Sequence, residues 1–432
     1  MDYQQSLRFM TELTKFGINP GLERIEELLR RLGSPENRIP HYLHIGGTNG
    51  KGSVAAMIES MLRQGGQTTG FFSSPHLSCH RERYRRNNLW LSEPQFAAIL
   101  TRIAPEITTM VAEGWESPTE FELATACALL YFSYAGVDWA IMEVGMGGAI
   151  DSTNVIDGEI AVITNVALDH CAYLGHTVAE IARVKAGIIK TGATVISGVS
   201  GEAVPLIDAV CGEKSARLLL LGRDIVVENP RPDQSGSYFD LHTPGHYYQD
   251  LRVNLAGRHQ IDNAALAVAG AEQVGCDPQA IARGLAGACW PGRLEILRRH
   301  PLVVVDGAHN PHGMAALAEA LRGLWPGRRR VALVGMLADK ERQEALSMLI
   351  PQIDQAIITP PPYLSRVGDW QELARICAAA NLPTTAVEDN AKALELALSC
   401  TGTEDLLIVT GSLYLIAAMR ELLGEHRQGG SL

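Results

Sequence analysis

Short apolar runs alternate with helical patterns along the whole chain. In the first part of the sequence, buried strands are predicted at residues 42–45, 140–144, 160–165 and 193–196. Leucine and isoleucine recur at a helical period just before the first run, and Gly33 is expected to end that helix. Strands that alternate with helices usually pair in parallel, so the pattern predicts a mostly parallel sheet with helices on both faces.

A second series of strands begins near residue 300. It is predicted at residues 302–305, 331–334, 355–358 and 406–409. Asn310 and Pro311 follow its first strand as the N-cap and first residue of a helix. The segment Trp290-Pro291-Gly292-Arg293 between the two series has the composition of a hinge.

The length of 432 residues also favours two domains, since single hydrophobic cores stop growing well below that size. We predict a larger domain at residues 1–296 and a smaller one at residues 297–432. Residues 230–250, rich in glycine, proline and polar side chains, are expected to form a hairpin or loop insertion in the first.

The composition is that of a globular protein, with 46% hydrophobic and 20% charged residues and a net charge of −11. An acidic balance argues against a nucleic-acid surface, which needs clustered lysine and arginine. The basic run at residues 81–86 is either a solvated loop or a clamp for an anionic small molecule.

The remaining features of the composition point to the cytoplasm. The eight cysteines are scattered and lack the spacing of a metal site. The first residues contain no apolar signal region, and no apolar run reaches the roughly 18 residues that a membrane span needs. We therefore expect a cytoplasmic protein with no membrane partner.

A glycine-rich segment after the first strand carries the strongest chemical signal. It reads Gly46-Gly47-Thr48-Asn49-Gly50-Lys51-Gly52-Ser53 and is followed by a helical pattern. Backbone N–H groups in such a loop converge on phosphate oxygens, a lysine reaches the terminal phosphates, and a hydroxyl can join a Mg²⁺ shell. The spacing departs from the usual P-loop, because Gly52 separates Lys51 from Ser53 and Ile45 stands where the first glycine belongs. We predict a nucleotide site here.

Other candidates lie where strands end. Glu143 closes a predicted strand and is expected to bind a metal ion beside the phosphate loop. Asp306 and His309 lie in the turn before the second-domain helix. Asn310 alone suffices to cap that helix, so the presence of Asp306 and His309 favours a function at a cleft between domains. From spacing alone, His170 fits a structural role and Lys185, on a helix opened by a capping box, fits a solvated one.

Together these motifs resemble the folylpolyglutamate and dihydrofolate synthases of the Mur ligase superfamily. The resemblance spans nearly the whole chain, from residues 21–24 through the phosphate loop, residues 143–154 and Lys185, to residues 306–311, 338–340 and 410–414. It implies an α/β fold of two domains, a P-loop-containing mostly parallel sheet domain followed by a smaller Rossmann-like α/β domain. Ala149 departs from it, since many relatives carry arginine there.

The resemblance also implies roles for individual residues. Nucleotide contacts fall to Thr48, Asn49, Gly50, Lys51, Gly52, Ser53, Asn263, Arg293 and Asp306. Metal contacts fall to Ser53, Ser74, Glu143 and His170, and Lys185 matches a lysine that the superfamily carbamylates. Lys51, Lys185, Asp306 and His309 are the implied catalytic residues. The folate or dihydropteroate is implied to meet Gly21, Leu22, Glu23, Arg24, Pro118, Thr119, Glu120, Phe121, Ile150, Asp151 and Ser152, and the glutamate His309 and Ser412.

The resemblance implies an ATP- and Mg²⁺-dependent ligase that joins L-glutamate to a folate or dihydropteroate carboxylate through an acyl phosphate. We expect it to act as a monomer. A cell-wall Mur ligase is the first alternative, but such enzymes usually carry a further domain before the phosphate loop, where only about 45 residues stand here. A regulatory nucleotide-binding protein is the second, and it predicts no phosphate release that depends on both folate and glutamate.

Overall fold

The computed structural model describes residues 1–14, 17, 19–363 and 366–424. In this part of the chain the larger domain is built on an eight-stranded sheet. Its strands are β1 (His41–Gly46), β2 (Thr69–Phe72), β3 (Tyr84–Arg86), β4 (Leu89–Trp90), β5 (Trp139–Glu143), β6 (Ile160–Ile163), β7 (Thr194–Ser197) and β8 (Arg217–Leu220). They pair in the order β4-β3-β2-β5-β1-β6-β7-β8, and all pairs are parallel except that β3 runs antiparallel to both β2 and β4.

Helices cover both faces of this sheet. They are α1 (Tyr3–Leu13), α2 (Glu23–Arg31), α3 (Lys51–Gln64), α4 (Glu93–Ala112), α5 (Glu120–Ala135), α6 (Cys171–Leu174), α7 (Val178–Ala186), α8 (Ala203–Glu213), α9 (Arg258–Val274) and α10 (Pro278–Gly287). Leu43 and Ile45 of β1 pack into the core formed with α3 and α9, while Tyr42 packs with α2 and α5 on the opposite face. Burial on both faces explains why the strands read as continuous apolar runs.

The insertion predicted at residues 230–250 is a three-stranded antiparallel sheet. It consists of β9 (Val226–Asp233), β10 (Gly236–His242) and β11 (Tyr247–Val253), with β10 in the middle. Pro230 and Pro232 lie in β9, at an edge of this sheet, where a missing N–H costs least. The prediction of a hairpin or loop was therefore one strand short.

The smaller domain has a six-stranded sheet within the described residues. Its strands are β12 (Glu295–Arg299), β13 (Leu302–Asp306), β14 (Arg330–Val334), β15 (Gln355–Ile358), β16 (Thr384–Ala386) and β17 (Leu406–Thr410). The order is β12-β13-β17-β14-β15-β16, and β12 alone pairs antiparallel. Its helices are α11 (Pro311–Leu324), α12 (Arg342–Leu349), α13 (Glu372–Ala379), α14 (Asn390–Ser399) and α15 (Leu413–Leu422).

The two sheets confirm the α/β fold class, and differences appear at the ends of elements. The predicted domain border between residues 296 and 297 falls inside β12, which belongs to the smaller sheet. The strand predicted at residues 160–165 was too long: β6 ends at Ile163, because Thr164 and Asn165 turn to bond the phosphate loop. Among the helices of the described segments, none has the length and apolar character to cross a bilayer.

Candidate active site

The glycine-rich segment joins β1 to α3 in a loop that admits no side chains at two positions. A β-carbon on Gly47, at φ 134°, would lie 1.9 Å from Oγ1 of Thr164. A β-carbon on Gly50, at φ 86°, would lie 2.5 Å from Oδ1 of Asn263. Glycine is thus required by backbone conformation and by space at both positions, and the loop stays bare of side chains there.

The loop after β6 holds this segment in place through hydrogen bonds to Asn49. Thr164 Oγ1 donates to the Asn49 carbonyl at 2.6 Å, and Asn165 Nδ2 donates to the same oxygen at 3.1 Å. In return, the Asn49 N–H donates to Asn165 Oδ1 at 3.0 Å. The sequence did not predict this role for Thr164 and Asn165, because both were included in the strand predicted from the apolar run before them.

Lys51 and Ser53 stand at the start of α3 with unused bonding capacity. Lys51 Nζ donates only to the loop's own carbonyls, those of Gly47 at 3.0 Å and Thr48 at 3.1 Å. Burial lowers the pKa of Lys51, and the nearby Glu143 opposes that shift. Ser53 is buried, and its Oγ has no hydrogen-bond partner among the described residues. A buried hydroxyl without a partner fits a metal or phosphate ligand.

Glu143 and Lys185 lie beside this loop, and both are buried. Burial raises the pKa of Glu143 to about 7, while Lys51 and the Ser74 N–H, 3.2 Å away, act against that rise. Burial, followed by the charge of Lys51, lowers the pKa of Lys185 to about 7. Lys185 Nζ donates to the Gly47 carbonyl at 2.9 Å. A carboxylate and a readily neutral amine therefore border one phosphate loop, and Lys185 is not the solvated residue that its spacing indicated.

Asp169 lies where the two domains meet. Its Oδ1 accepts from Lys340 Nζ at 2.8 Å, and its Oδ2 accepts from Asn310 Nδ2 at 2.9 Å. Nε2 of His170 and Nε2 of His309 lie 3.8 and 3.9 Å from its carboxylate. Burial alone would raise the pKa of Asp169, but Lys340 and the two histidines hold it low.

Both histidines of this junction are neutral near pH 7. Burial is the main cause and the charge of Lys340 the next, and together they lower the pKa of His170 and of His309 to about 4 each. A neutral imidazole nitrogen can accept a bond from a ligand or coordinate a metal ion. The Asp169–Lys340 pair had no predicted role, since the two residues are 171 positions apart and only the fold brings them together.

One large cavity contains every predicted nucleotide and metal residue. It has a volume of about 590 Å³ and lies between the domains. Its walls include Thr48, Asn49, Gly50, Lys51, Gly52, Ser53, Ser74, Glu143, His170, Lys185, Asn263, Arg293, Asp306 and His309. The bare loop, the unpartnered Ser53 hydroxyl and the Glu143 carboxylate fit a Mg²⁺–nucleotide in this cavity.

A second cavity of about 340 Å³ adjoins the first. Its walls include the predicted residues Gly21, Thr119, Glu120, Phe121, Ile150, Asp151, Ser152 and Ser412, together with Arg83, Lys340 and Tyr414. The two cavities share Ser74, His170 and His309. A molecule in the second cavity can therefore place one end next to a nucleotide in the first.

Four predicted substrate residues do not line this second cavity: Leu22, Glu23, Arg24 and Pro118. Arg24 instead supports the wall. Its guanidinium is buried, and it donates to Glu122 Oε2 at 3.2 Å and pairs with Glu116 at 3.4 Å. Glu122 belongs to the capping box that opens α5 behind Thr119. Direct substrate contact by these four residues stays a prediction.

The chain matches two family models in sequence order. The Mur ligase middle domain matches residues 45–271, and the Mur ligase glutamate ligase domain matches residues 292–413. The first match covers the phosphate loop, Glu143, His170 and Lys185. The second covers Asp306, His309 and Ser412.

Curated relatives and solved structures agree with these matches. The chain is 36% identical to the dihydrofolate synthase/folylpolyglutamate synthase of Bacillus subtilis, over 98% of this chain and 99% of that protein. It is 32% identical to the Mycobacterium tuberculosis folylpolyglutamate synthase complexed with ADP and AMPPCP, with a TM-score of 0.92 over 99% and 100% of the chains. It is 31% identical to E. coli FolC in complex with DHPP and ADP, with a TM-score of 0.89 over 99% of each chain.

Proposed function

The chain belongs to the dihydrofolate synthase/folylpolyglutamate synthase family of Mur ligases, and from that premise we propose how it works as an ATP-dependent ligase. Its acceptor is a pterin-bearing carboxylic acid, a dihydropteroate or a folate, and the added group is L-glutamate. The observation that carries this proposal is the meeting of two cavities at Ser74, His170 and His309. One is lined by a phosphate loop and the other by Phe121, Met146 and Ile150, which suit a flat aromatic ring.

In this proposal the phosphate loop orients the nucleotide. The N–H groups of Gly50 and of the first turn of α3 bind the phosphates, whereas those of Thr48 and Asn49 already donate to Asn165. Lys51 turns from its own loop carbonyls to the terminal phosphate. Ser53, Ser74, Glu143 and His170 would hold Mg²⁺, which lowers the repulsion between the phosphates and an incoming carboxylate. A bound cation would lower the Glu143 pKa from its value of about 7, because it stabilises the carboxylate.

Lys185 would act as a carbamate. Its amine is neutral above pH 7, as addition to CO₂ requires, and the product is a carboxylate on a lysine stem. Placed beside Gly47, that group would add a negative charge next to the metal ligands. This assignment rests on the depressed pKa, the burial and the family resemblance together.

The second domain supplies the other half of the site. The acceptor carboxylate attacks the γ-phosphorus, ADP leaves, and an acyl phosphate results. The neutral glutamate amine then displaces inorganic phosphate from the acyl carbon and loses a proton to give the amide. His309, which lines both cavities, and Lys340, which lines the second, would stabilise the acyl phosphate and orient the amine. The walls of both domains would keep water from this intermediate.

Two broader expectations are also proposals. We propose that the enzyme works in the cytoplasm, where cysteine thiols stay reduced, and that it works as a monomer. Residues from both domains of this chain line the two cavities.

A coupled assay tests the function directly. Phosphate release from ATP is measured with purified protein and dihydropteroate or tetrahydrofolate, with glutamate, with both and with neither. We expect release only with acceptor and glutamate together, and mass spectrometry should detect an acceptor heavier by one glutamyl residue. Lys51→Ala is the matched control and should fold normally yet lose activity by about a thousandfold.

The other outcomes separate the alternatives. Phosphate release that ignores both co-substrates would favour a nucleotide switch over a ligase. Release that requires a nucleotide-sugar peptide in place of a pterin would favour a cell-wall Mur ligase. Normal activity in Lys51→Ala would remove the phosphate loop from the mechanism.

A further inference from the structure

An indole ring fills the space beside Gly52, the second residue of α3. A β-carbon on Gly52 would lie 2.7 Å from Cζ2 of Trp290 and 2.8 Å from its Nε1, closer than real β-carbons approach other atoms. The residue after Lys51 must therefore be glycine as long as the indole keeps its place. This contact explains the departure from the usual P-loop, in which serine or threonine follows the lysine directly.

Side chains from β2 and β3 of the large sheet also contact the indole. The Arg85 guanidinium carbon lies 5.0 Å from the centre of the Trp290 ring, and the Phe71 ring lies 5.5 Å from it. Phe71 on β2 and Arg85 on β3 face each other in the strand register, and both are buried. Arg85 also lies 5.5 Å from the Phe71 ring, so the three side chains form one cluster of mutual contacts.

The chain that follows Trp290 is fixed to the second domain. The Gly292 carbonyl accepts from the Gly307 N–H at 2.9 Å, and the Leu294 N–H donates to Asp306 Oδ2 at 2.9 Å. The Gly292 N–H donates to Glu295 Oε2 at 2.8 Å. Within five residues the linker thus runs from the first turn of α3 to the strand-to-helix turn of the smaller domain.

We propose that Trp290 is a positioning residue that transmits the position of the second domain to the phosphate loop. The proposal rests on the proposed role of residues 46–53 as the nucleotide site. Gly52 stands between Lys51 and Ser53, so the indole sets the direction in which those two side chains leave the helix. A small tilt of this turn is costly, because a displacement of about 1 Å at a reacting group can cost a hundredfold in rate.

A double-mutant cycle tests the contact. The dissociation constant for ADP and the KM for ATP are measured in Gly52→Ala, Trp290→Ala and the double variant. We expect Gly52→Ala to raise both by about thirtyfold, through its clash with the indole, and Trp290→Ala to raise both by about tenfold. In the Trp290→Ala background the glycine substitution should add less than about threefold, since the clash is gone.

Conservative and matched variants separate positioning from packing. Trp290→Phe keeps a ring against Gly52 and should stay within about threefold of the parent in KM for ATP. Gly212→Ala is the glycine control, because its helix position has no atom within 4 Å of the added carbon. It should leave the KM values unchanged and raise the melting temperature slightly.

Several results would overturn the proposal. An equal effect of Gly52→Ala in both backgrounds would show that the indole does not constrain the loop. A lower melting temperature in Trp290→Ala with unchanged KM for ATP would make Trp290 a packing residue only. If Gly52→Ala does not fold, the Trp290→Ala and Trp290→Phe pair decides by KM for ATP. Undiminished ATP binding in Lys51→Ala would refute the nucleotide site itself, which is a different failure.

Discussion

Two strand-to-helix turns meet across the cleft, and they are built in opposite ways. The first follows β1 at residues 46–53, and the second follows β13 at residues 306–310. They touch through Asn49 and Asn310, whose side-chain amides exchange hydrogen bonds of 3.2 and 3.0 Å. Each opens a helix at the carboxyl edge of a parallel sheet, where α/β proteins bind their ligands.

The second turn satisfies its own polar groups. Asp306 accepts from the N–H groups of Leu294 and Ala308, both at 2.9 Å, and Asn310 caps α11 by accepting from the Gly313 N–H at 2.8 Å. His309 Nδ1 donates to the Gly307 carbonyl at 2.7 Å. The first turn instead has a glycine N-cap without a side chain and leaves Ser53 Oγ unpartnered. We infer that the second turn is a finished scaffold and that the first is completed by what it binds.

The largest effect is expected at Lys185, whose amine now holds the first turn through Gly47. Lys185→Ala should lower kcat by about a hundredfold to a thousandfold, and formate or acetate should restore part of it by replacing the carbamate. The neutral amine prevails above its pKa of about 7, so bicarbonate should stimulate the parent enzyme more at pH 8 than at pH 6.

Lys190→Ala is the matched control for this experiment. Lys190 lies just beyond α7 and donates to the Asn154 carbonyl at 2.9 Å, outside both cavities. Its activity should not respond to formate. An inactive Lys185→Ala that no carboxylate rescues, or an active one, would refute carbamylation.

Ser53→Ala separates binding from stability in the first turn. The hydroxyl has no partner to lose, so the free energy of unfolding should change by less than about 0.5 kcal/mol. Activity should nevertheless fall by about a hundredfold as the metal and phosphate lose a ligand, with a matching rise in the Mg²⁺ needed for half-maximal rate. A destabilised variant with unchanged Mg²⁺ dependence would mean that the first turn is as self-contained as the second.

Strand positions could be predicted from sequence because strands that are buried on both sheet faces consist of continuous apolar runs. Each of the eight predicted strands exists, and the prediction for β15 matches both its ends. Two short strands were not predicted: Thr69–Phe72, which lies between β3 and β5, and Leu89–Trp90 at the edge of the sheet. Thr69 and Gly70 interrupt the apolar run of the first, and two residues are too few to show a period in the second. The mixed polarity and prolines of β9 disguised it, because an exposed edge strand needs neither a continuous apolar face nor every N–H.

For the candidate site, local motifs gave the phosphate loop, and distant contacts were out of reach. Asp169 with Lys340, and Gly52 with Trp290, are paired by the domain arrangement, which no local spacing encodes. For Arg24, a local motif identified the residue but not its contacts. The family motif names the residue, but whether its guanidinium faces the cavity or Glu122 depends on how α2 packs against α5.

Asp306→Ala should destabilise the protein through the second turn, whereas Ser53→Ala in the first turn should leave stability nearly unchanged. It leaves two buried N–H groups without acceptors, at about 1–3 kcal/mol each, so the free energy of unfolding should fall by about 2–6 kcal/mol. Chemical denaturation measures this loss, and Asp306→Asn, which keeps one acceptor oxygen, should lose about half as much. Unchanged stability with lost ATP binding would make Asp306 a ligand residue rather than part of a scaffold.

The smallest effect is expected where the two turns touch. Asn310→Ser retains an N-cap oxygen for Gly313 and removes the amide that reaches Asp169 and Asn49, whereas Asn310→Ala removes both functions. The alanine variant should therefore be less stable than the serine variant by about 1 kcal/mol, the usual value of a cap. Both should show the same modest rise in KM for ATP, because both cut the link between the turns. Equal stabilities would show that the cap contributes nothing to the second turn, and the contrast with the first would then rest on Asp306 alone.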